Sequence, residues 1–343
     1  MSAARNTRKA SRMARIASAA IVALGLLALV ESLRWRGAPF PGFFLMPNRV
    51  VPSAALPGWG GIAEGRPLYQ QLLLAVDDAP VRTGEEGYER AAGHPVGDPV
   101  RYVFSGQQQI ETRMLPLRRF SDREYLAIFG AYFITGIAYA LLALFVGERW
   151  RESPMFRGLA AFGWVTATFS FTGIDLYGPG VAFRVHALAE ALLPAAAVHL
   201  ALVCPRDRLA RRPGVLPVVY GLGLALAAIY EVFLYDPRAY SAVHNLCQSL
   251  SIVPLLFFTG ELALALADPP PQLGPASVRR LLAGAVAGVV MPAAVLAISG
   301  FSGGVVPVNV TAWVGYLFPV AALAAFRASP DPLQSTPALA ETT

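Results

Sequence analysis

Residues 124–146 read EYLAIFGAYFITGIAYALLALFV. The segment is apolar almost throughout and long enough to cross ~30 Å of hydrocarbon, which takes a helix of about 20 residues. Its Leu, Ala, Ile and Phe run on rather than alternate, so it reads as a helix and not as a barrel strand. Seven further stretches of the same kind flank it, at 16–33, 155–175, 183–203, 214–235, 241–266, 279–299 and 305–326. Backbone polar groups in lipid must be satisfied within the segment, which leaves an all-α polytopic bundle of about eight transmembrane helices as the expected fold.

Arginine sorts the loops. Arg5, Arg8, Lys9, Arg12 and Arg15 precede the first span; Arg149, Arg151 and Arg157 surround the second link; Arg206, Arg208, Arg211 and Arg212 follow the fourth span; Arg279 and Arg280 precede the seventh. On an eight-span count all four groups share one face, and the positive-inside rule makes it cytoplasmic, with both termini there. The first span is expected to be a signal-anchor, because no small-x-small cleavage site follows it at Glu31-Ser32-Leu33-Arg34. The chain is 55% hydrophobic and 15% charged, and its net charge of +6 is largely these topogenic arginines, so nucleic acid is not an expected partner. Cys204 and Cys247 fall at opposite depths and are not expected to pair.

The spans divide the chain into a basic N-terminus with its anchor (1–35), an extracytoplasmic insert (36–122), a seven-helix block (123–327) and a polar tail (328–343). In the insert, Gln71–Val76 reads as a strand, Asp77-Asp78 as a turn, Ala79-Pro80-Val81 as a second strand start, Thr83–Ala92 as a helix, and 99–104 with 110–115 as a hairpin. The tail, with Pro330, Pro332 and Pro337, is expected to be disordered.

An ionisable side chain inside a span costs about 2.5–3.5 kcal/mol on insertion scales, so such residues are the best pointers to a site. They gather in the outer half. His186 and Glu190 lie one turn apart on a common helix face; Asp175, Glu231 and His244 lie near outer helix ends. These five are the candidate ligand-binding residues, with Glu190 first; Asp175, Arg184, Asp236 and Arg238 also have the simpler reading of helix-end caps. Enzyme motifs are incomplete in this sequence. Gly300-Phe301-Ser302-Gly303 matches the G-x-S-G of rhomboid-type proteases, but no His follows His244; H-E-x-x-H is absent, and four scattered His leave no metal site. Spacing alone does not exclude haem ligation by His186 and His244, but no cofactor is expected. A transporter would show matched halves, and Pro194, Pro254 and Pro292 form no symmetric pair.

Gly65, the run Leu73-Leu74-Ala75-Val76-Asp77-Asp78-Ala79-Pro80-Val81, and Pro95-Val96-Gly97-Asp98-Pro99-Val100 resemble a bacterial PDZ-like domain, with Gln70-Gln71 where a Gly-Asp pair is usual and Asp78 in place of the turn glycine. With the anchor helix, Asp175-Leu176-Tyr177-Gly178-Pro179 and His199-Leu200-Ala201-Leu202-Val203-Cys204-Pro205-Arg206, the chain resembles the membrane input half of bacterial sensor histidine kinases of the competence, quorum-sensing and myxobacterial kind. The resemblance implies an inner-membrane protein with a periplasmic PDZ-like insert, able to meet a peptide or envelope protein. It also implies a signal relay through His199, Arg206 and Arg208. No phosphoacceptor helix or ATP-binding segment follows Phe326, so the expectation is a non-catalytic sensor that works through a cytoplasmic kinase-like partner, with a transporter or membrane scaffold as the alternative.

Overall fold

The computed structural model describes residues 2–65, 67–106, 109–149, 153–212, 214–271 and 273–327, so the expected disordered tail lies outside the described residues. The chain begins with α1 (Ser2–Ser32) and then enters a β-rich insert. The insert contains β1 (Pro39–Phe40), β2 (Leu72–Val76), β3 (Ala79–Pro80), α2 (Gly84–Ala92), β4 (Pro99–Ser105), β5 (Ile110–Pro116) and β6 (Arg118–Arg119). The helical block follows as α3 (Asp122–Tyr125) running through a π-turn into α4 (Ala131–Arg149), then α5 (Pro154–Asp175), α6 (Phe183–Val203), α7 (Val215–Phe233) and α8 (Pro237–Leu264). It ends with α9 (Pro275–Ala285), which passes through a second π-turn into α10 (Met291–Phe301), and α11 (Leu317–Arg327).

Among the described residues, seven helical segments are long and apolar enough to cross a membrane: Arg12–Trp35, Asp122–Glu148, Phe183–Val203, Val215–Phe233, Pro237–Leu264, Pro275–Phe301 and Val308–Arg327. The chain is a multi-pass helical membrane protein. The remaining expected span, 155–175, is α5, which at 22 residues has the length but falls short in hydropathy, because Thr166, Thr168, Ser170 and Thr172 interrupt it. It sits between α4 and α6. Outward-facing Leu27, Val30, Val218, Leu222, Val232 and Val253 are largely exposed, which is the arrangement lipid permits and water does not.

With lipid outside, helices gain little by hiding apolar surface and must gain by close packing, which small residues allow. Gly25 of α1 and Gly136 of α4 clasp the Phe171 ring of α5: a Cβ at either would lie 2.5 Å from a ring carbon. On the far side of the block, a Cβ on Gly288 would meet the Phe318 backbone nitrogen at 2.5 Å.

Within the insert the strands and the helix fall close to the segments expected from sequence. Its sheet has the order β3-β2-β4-β5, antiparallel throughout, and Asp77 and Asp78 turn β2 into β3 with φ of +48° and +68°. Val100, Tyr102 and Phe104 alternate inward along β4 and are buried with Leu73 and Val76. Thr83 caps α2 by accepting from the Glu86 amide at 3.1 Å, and Glu86 pairs with Arg90 at 2.7 Å, which holds its carboxyl below the usual range. Its first and last strands close the insert on itself, and aromatic rings weld it to the block. β1 pairs with β6, and an aromatic seam of Trp35, Phe40, Phe44, Trp59 and Phe120 ends in Phe44 stacked on Tyr177 of the α5–α6 loop at 4.3 Å. Below the seam, Glu124 accepts from the Trp59 indole at 2.8 Å and from Arg118 at 2.6 Å while completing a capping box with Ser121.

Enlarging Gly136 to Val should push Phe171 out of its slot and destabilise the block by about 1–3 kcal/mol. Thermal unfolding of the purified protein in one detergent, wild type against Gly136→Val, measures this; an unchanged midpoint would show that the clasp is not rigid.

Candidate functional site

A carboxylate buried in a helical block must find donors, and Glu190 of α6, 1% exposed, finds three. Its Oε1 takes the His244 Nδ1 at 2.7 Å and the Gln248 Nε2 at 2.8 Å, both from α8, and its Oε2 takes the Tyr230 hydroxyl of α7 at 2.7 Å. His244 and Gln248 are four residues apart, so one face of α8 supplies both. One carboxylate therefore ties three helices.

His186, one turn before Glu190, turns to α5 instead. Its Nδ1 lies 3.0 Å from the Thr172 hydroxyl, and its ring stacks on Phe169 with centroids 4.5 Å apart. His244 stacks on Tyr240, which donates to the Met46 sulfur of the insert at 3.3 Å. His186, His244 and Gln248 thus come together as the inner wall of a chamber of about 90 Å³. Its roof belongs to the insert, where Met46, Pro52, Tyr69 and Gln70 cover it. Burial pushes the Tyr69 phenol above its ordinary range, so it stays a hydroxyl. Glu190 stands behind this wall rather than in it.

A second chamber of about 260 Å³ adjoins the first deeper among α4, α5, α8 and α10. Tyr132, Phe169, Gln248, Leu296 and Val308 border both. Leu193, Ile252, Leu255, Val289 and Pro292 make its walls apolar. Among the described residues, no Arg or Lys lines either chamber.

Compared with protein-family models, curated proteins and solved structures, the chain matches none.

The remaining expected site residues lie elsewhere. Glu231 is exposed and pairs with Arg184 at 2.9 Å. Asp175 closes the α5–α6 loop by accepting from the Ala182 amide at 2.7 Å, the cap-like role open to it from sequence. Gly180 in that loop has φ of +66° and lets Pro47 of the insert approach to where a Cβ would stand. Asp236 caps α8 through the Arg238 and Ala239 amides. At the opposite end of the block, His199 meets the Tyr220 hydroxyl at 3.1 Å, Arg206 pairs with Asp268, and Arg208 pairs with Glu261 while covering the Phe257 ring. Cys204 and Cys247 are separate buried thiols. Among the described residues no cluster of three His, Cys, Asp or Glu has the arrangement to hold a metal ion.

Tyr230, Gln248 and Tyr69 are the residues that sequence reading overlooked. For Gln248 a signal existed, its spacing of four from His244 in an apolar helix; for Tyr69, in a loop, none did.

Tyr230→Phe removes one of three donors from a buried carboxylate and should cost about 1–3 kcal/mol. A melting midpoint equal to wild type would mean that Glu190 is satisfied without α7.

Proposed function

We propose that the chain is a non-catalytic signal-input protein of a bacterial inner membrane, a receptor whose insert lies outside the cytoplasm and whose arginine-bearing loops lie inside. The arginine asymmetry supports the orientation. The order strand, tight turn, strand, capped helix and hairpin supports a PDZ-like reading of the insert. Residues 49–51 already run along β2, so an added peptide strand would use the free edge of β5, where Ile110 and Met114 are exposed.

What carries the receptor reading is that α6 and α8 are tied at both ends. Near the insert, Glu190 of α6 holds His244 and Gln248 of α8 beside the roofed chamber. At the other end, the segment after α6 holds the end of α8 and the turn that follows it through Arg208 with Glu261 and Arg206 with Asp268. A ligand that rearranges the first tie therefore shifts the second, a displacement on the order of 1–2 Å of the sort helix-shift signalling uses. The arginine loop would pass this to a separate cytoplasmic transmitter, a kinase-like partner. His199, on the same helix and bonded to α7, would steady the relay.

Spin labels at Ala210 and Leu266 read the far tie directly. In the membrane-reconstituted chain, Glu190→Gln should change their distance distribution by on the order of 1–2 Å. An unchanged distribution would remove the relay. Reporter fusions should place residue 80 outside and residue 210 inside; the reverse would remove the orientation. Counterflow of a solute through vesicles holding the pure chain would make it a transporter instead.

A further inference from the structure

We propose that the paired chambers bind a single-chain amphiphile with a primary ammonium head, the head beneath the insert and the chain among the helices. The inference deepens the receptor reading, in which this ligand is the signal.

It follows from the sense of the hydrogen bonds. A carboxylate only accepts, so Gln248 must turn its amide nitrogen to Glu190, which spends one of its two N–H groups and leaves Oε1 unused by that bond. The same carboxylate takes the Nδ1 proton of His244, so in the neutral ring Nε2 is a lone pair. The Thr172 hydroxyl gives its own proton to the Thr168 carbonyl at 2.7 Å. It must therefore accept from His186 Nδ1, and His186 Nε2 becomes a lone pair as well. The wall thus carries acceptors at His186 Nε2 and Gln248 Oε1, and a third at His244 Nε2 in the neutral ring, against one remaining N–H of Gln248, while the hydroxyls of Tyr69 and Ser53 adapt to either sense. An ammonium carries three donors and no acceptor.

Charge and shape agree. Among the described residues no Arg or Lys lines either chamber to hold a carboxylate or phosphate, whereas Glu190 behind the wall favours a positive guest. Phe169, Tyr132, Tyr177 and Tyr240 add aromatic surfaces of the sort that attract ammonium groups. The deeper chamber, apolar and adjoining at Phe169 and Gln248, takes an alkyl chain. Each methylene buried there should tighten binding roughly fourfold until the chamber is full.

The test uses the full chain in nanodiscs with linear alkylamines below their micellar concentration, against alkanols and alkanoates of equal length, followed by competition with a fluorescent alkylamine. Saturable binding of the amines, stepping with chain length to a plateau, is expected. Gln248→Leu and, separately, His186→Phe, which keeps the stack on Phe169, should each weaken the amine roughly tenfold or more. Ala293→Trp, which fills the deeper chamber, should shorten the chain length at the plateau and spare short amines. Equal binding of alkanoate or alkanol overturns the proposal, as does amine affinity untouched in variants that melt like wild type. Uptake that never saturates and is the same in every variant is partition into lipid and overturns it too. The receptor reading stands or falls separately: saturable amine binding that leaves the Ala210–Leu266 distance unmoved keeps the ligand and removes the relay, and a relay driven by a ligand without an amine does the opposite.

Discussion

A single carboxylate inside a membrane-spanning helix sets the terms for everything around it. Left alone, Glu190 would cost several kcal/mol, so a fold that keeps it must bring donors from outside its own helix. Those donors are Tyr230, His244 and Gln248, and bringing them in fixes how α7 and α8 lie against α6. Apolar contact with lipid-like neighbours discriminates weakly between helix rotations, because either face is tolerated by hydrocarbon. Three directed hydrogen bonds discriminate strongly. The same bonds spend the Nδ1 proton of His244 and one N–H of Gln248 on the carboxylate, so the Gln248 carbonyl oxygen stays unspent in that tie.

The insert completes that chamber and is not an appendage. The aromatic seam from Trp35 to Phe129 is one continuous core with the helical block, and Asn48 and Ala55 bond across the boundary to Leu234 and Asn309. Phe44 on Tyr177 and Pro47 on Gly180 press the insert onto the α5–α6 loop, directly above the turn in which α6 presents His186. A force applied to the insert therefore reaches the chamber roof and the first turns of α6 through packed rings, which are poorly compressible.

Much of the architecture was legible because lipid imposes simple rules. Length and apolarity locate the spans within a few residues, α5 included, although α5 falls short in hydropathy because its hydroxyl-bearing face turns to His186 and the chambers instead of lipid. The insert was legible through local chemistry: Asp77-Asp78 tolerates the left-handed turn, and Thr83 followed by Glu86 marks a helix start. The site was half legible. Glu190, His186 and His244 stand out because they are costly where they are. Their partnership did not, since Glu190 and His244 lie on different helices and nothing in one sequence states which faces meet. Glu231 and Asp175 are equally costly by position, yet one is an exposed ion pair and the other closes a loop. Burial cost flags a residue without saying whether capping, pairing or ligand recognition offsets it.

Pro194 and Pro254 sharpen the question of how the two ends of the block communicate. Each sits inside one of the tied helices, α6 and α8, between the Glu190 cluster and the arginine pairs. A proline inside a helix removes one hydrogen bond and clashes with the preceding turn, so each helix is already weakened at this depth. Two such points at comparable depth in neighbouring helices let the halves bend together at lower cost than either helix would bend alone. The ends are stiffly bonded and the middle is not. That distribution suits a lever better than a rod, with the chamber moving one arm and the Arg206–Arg208 segment riding on the other.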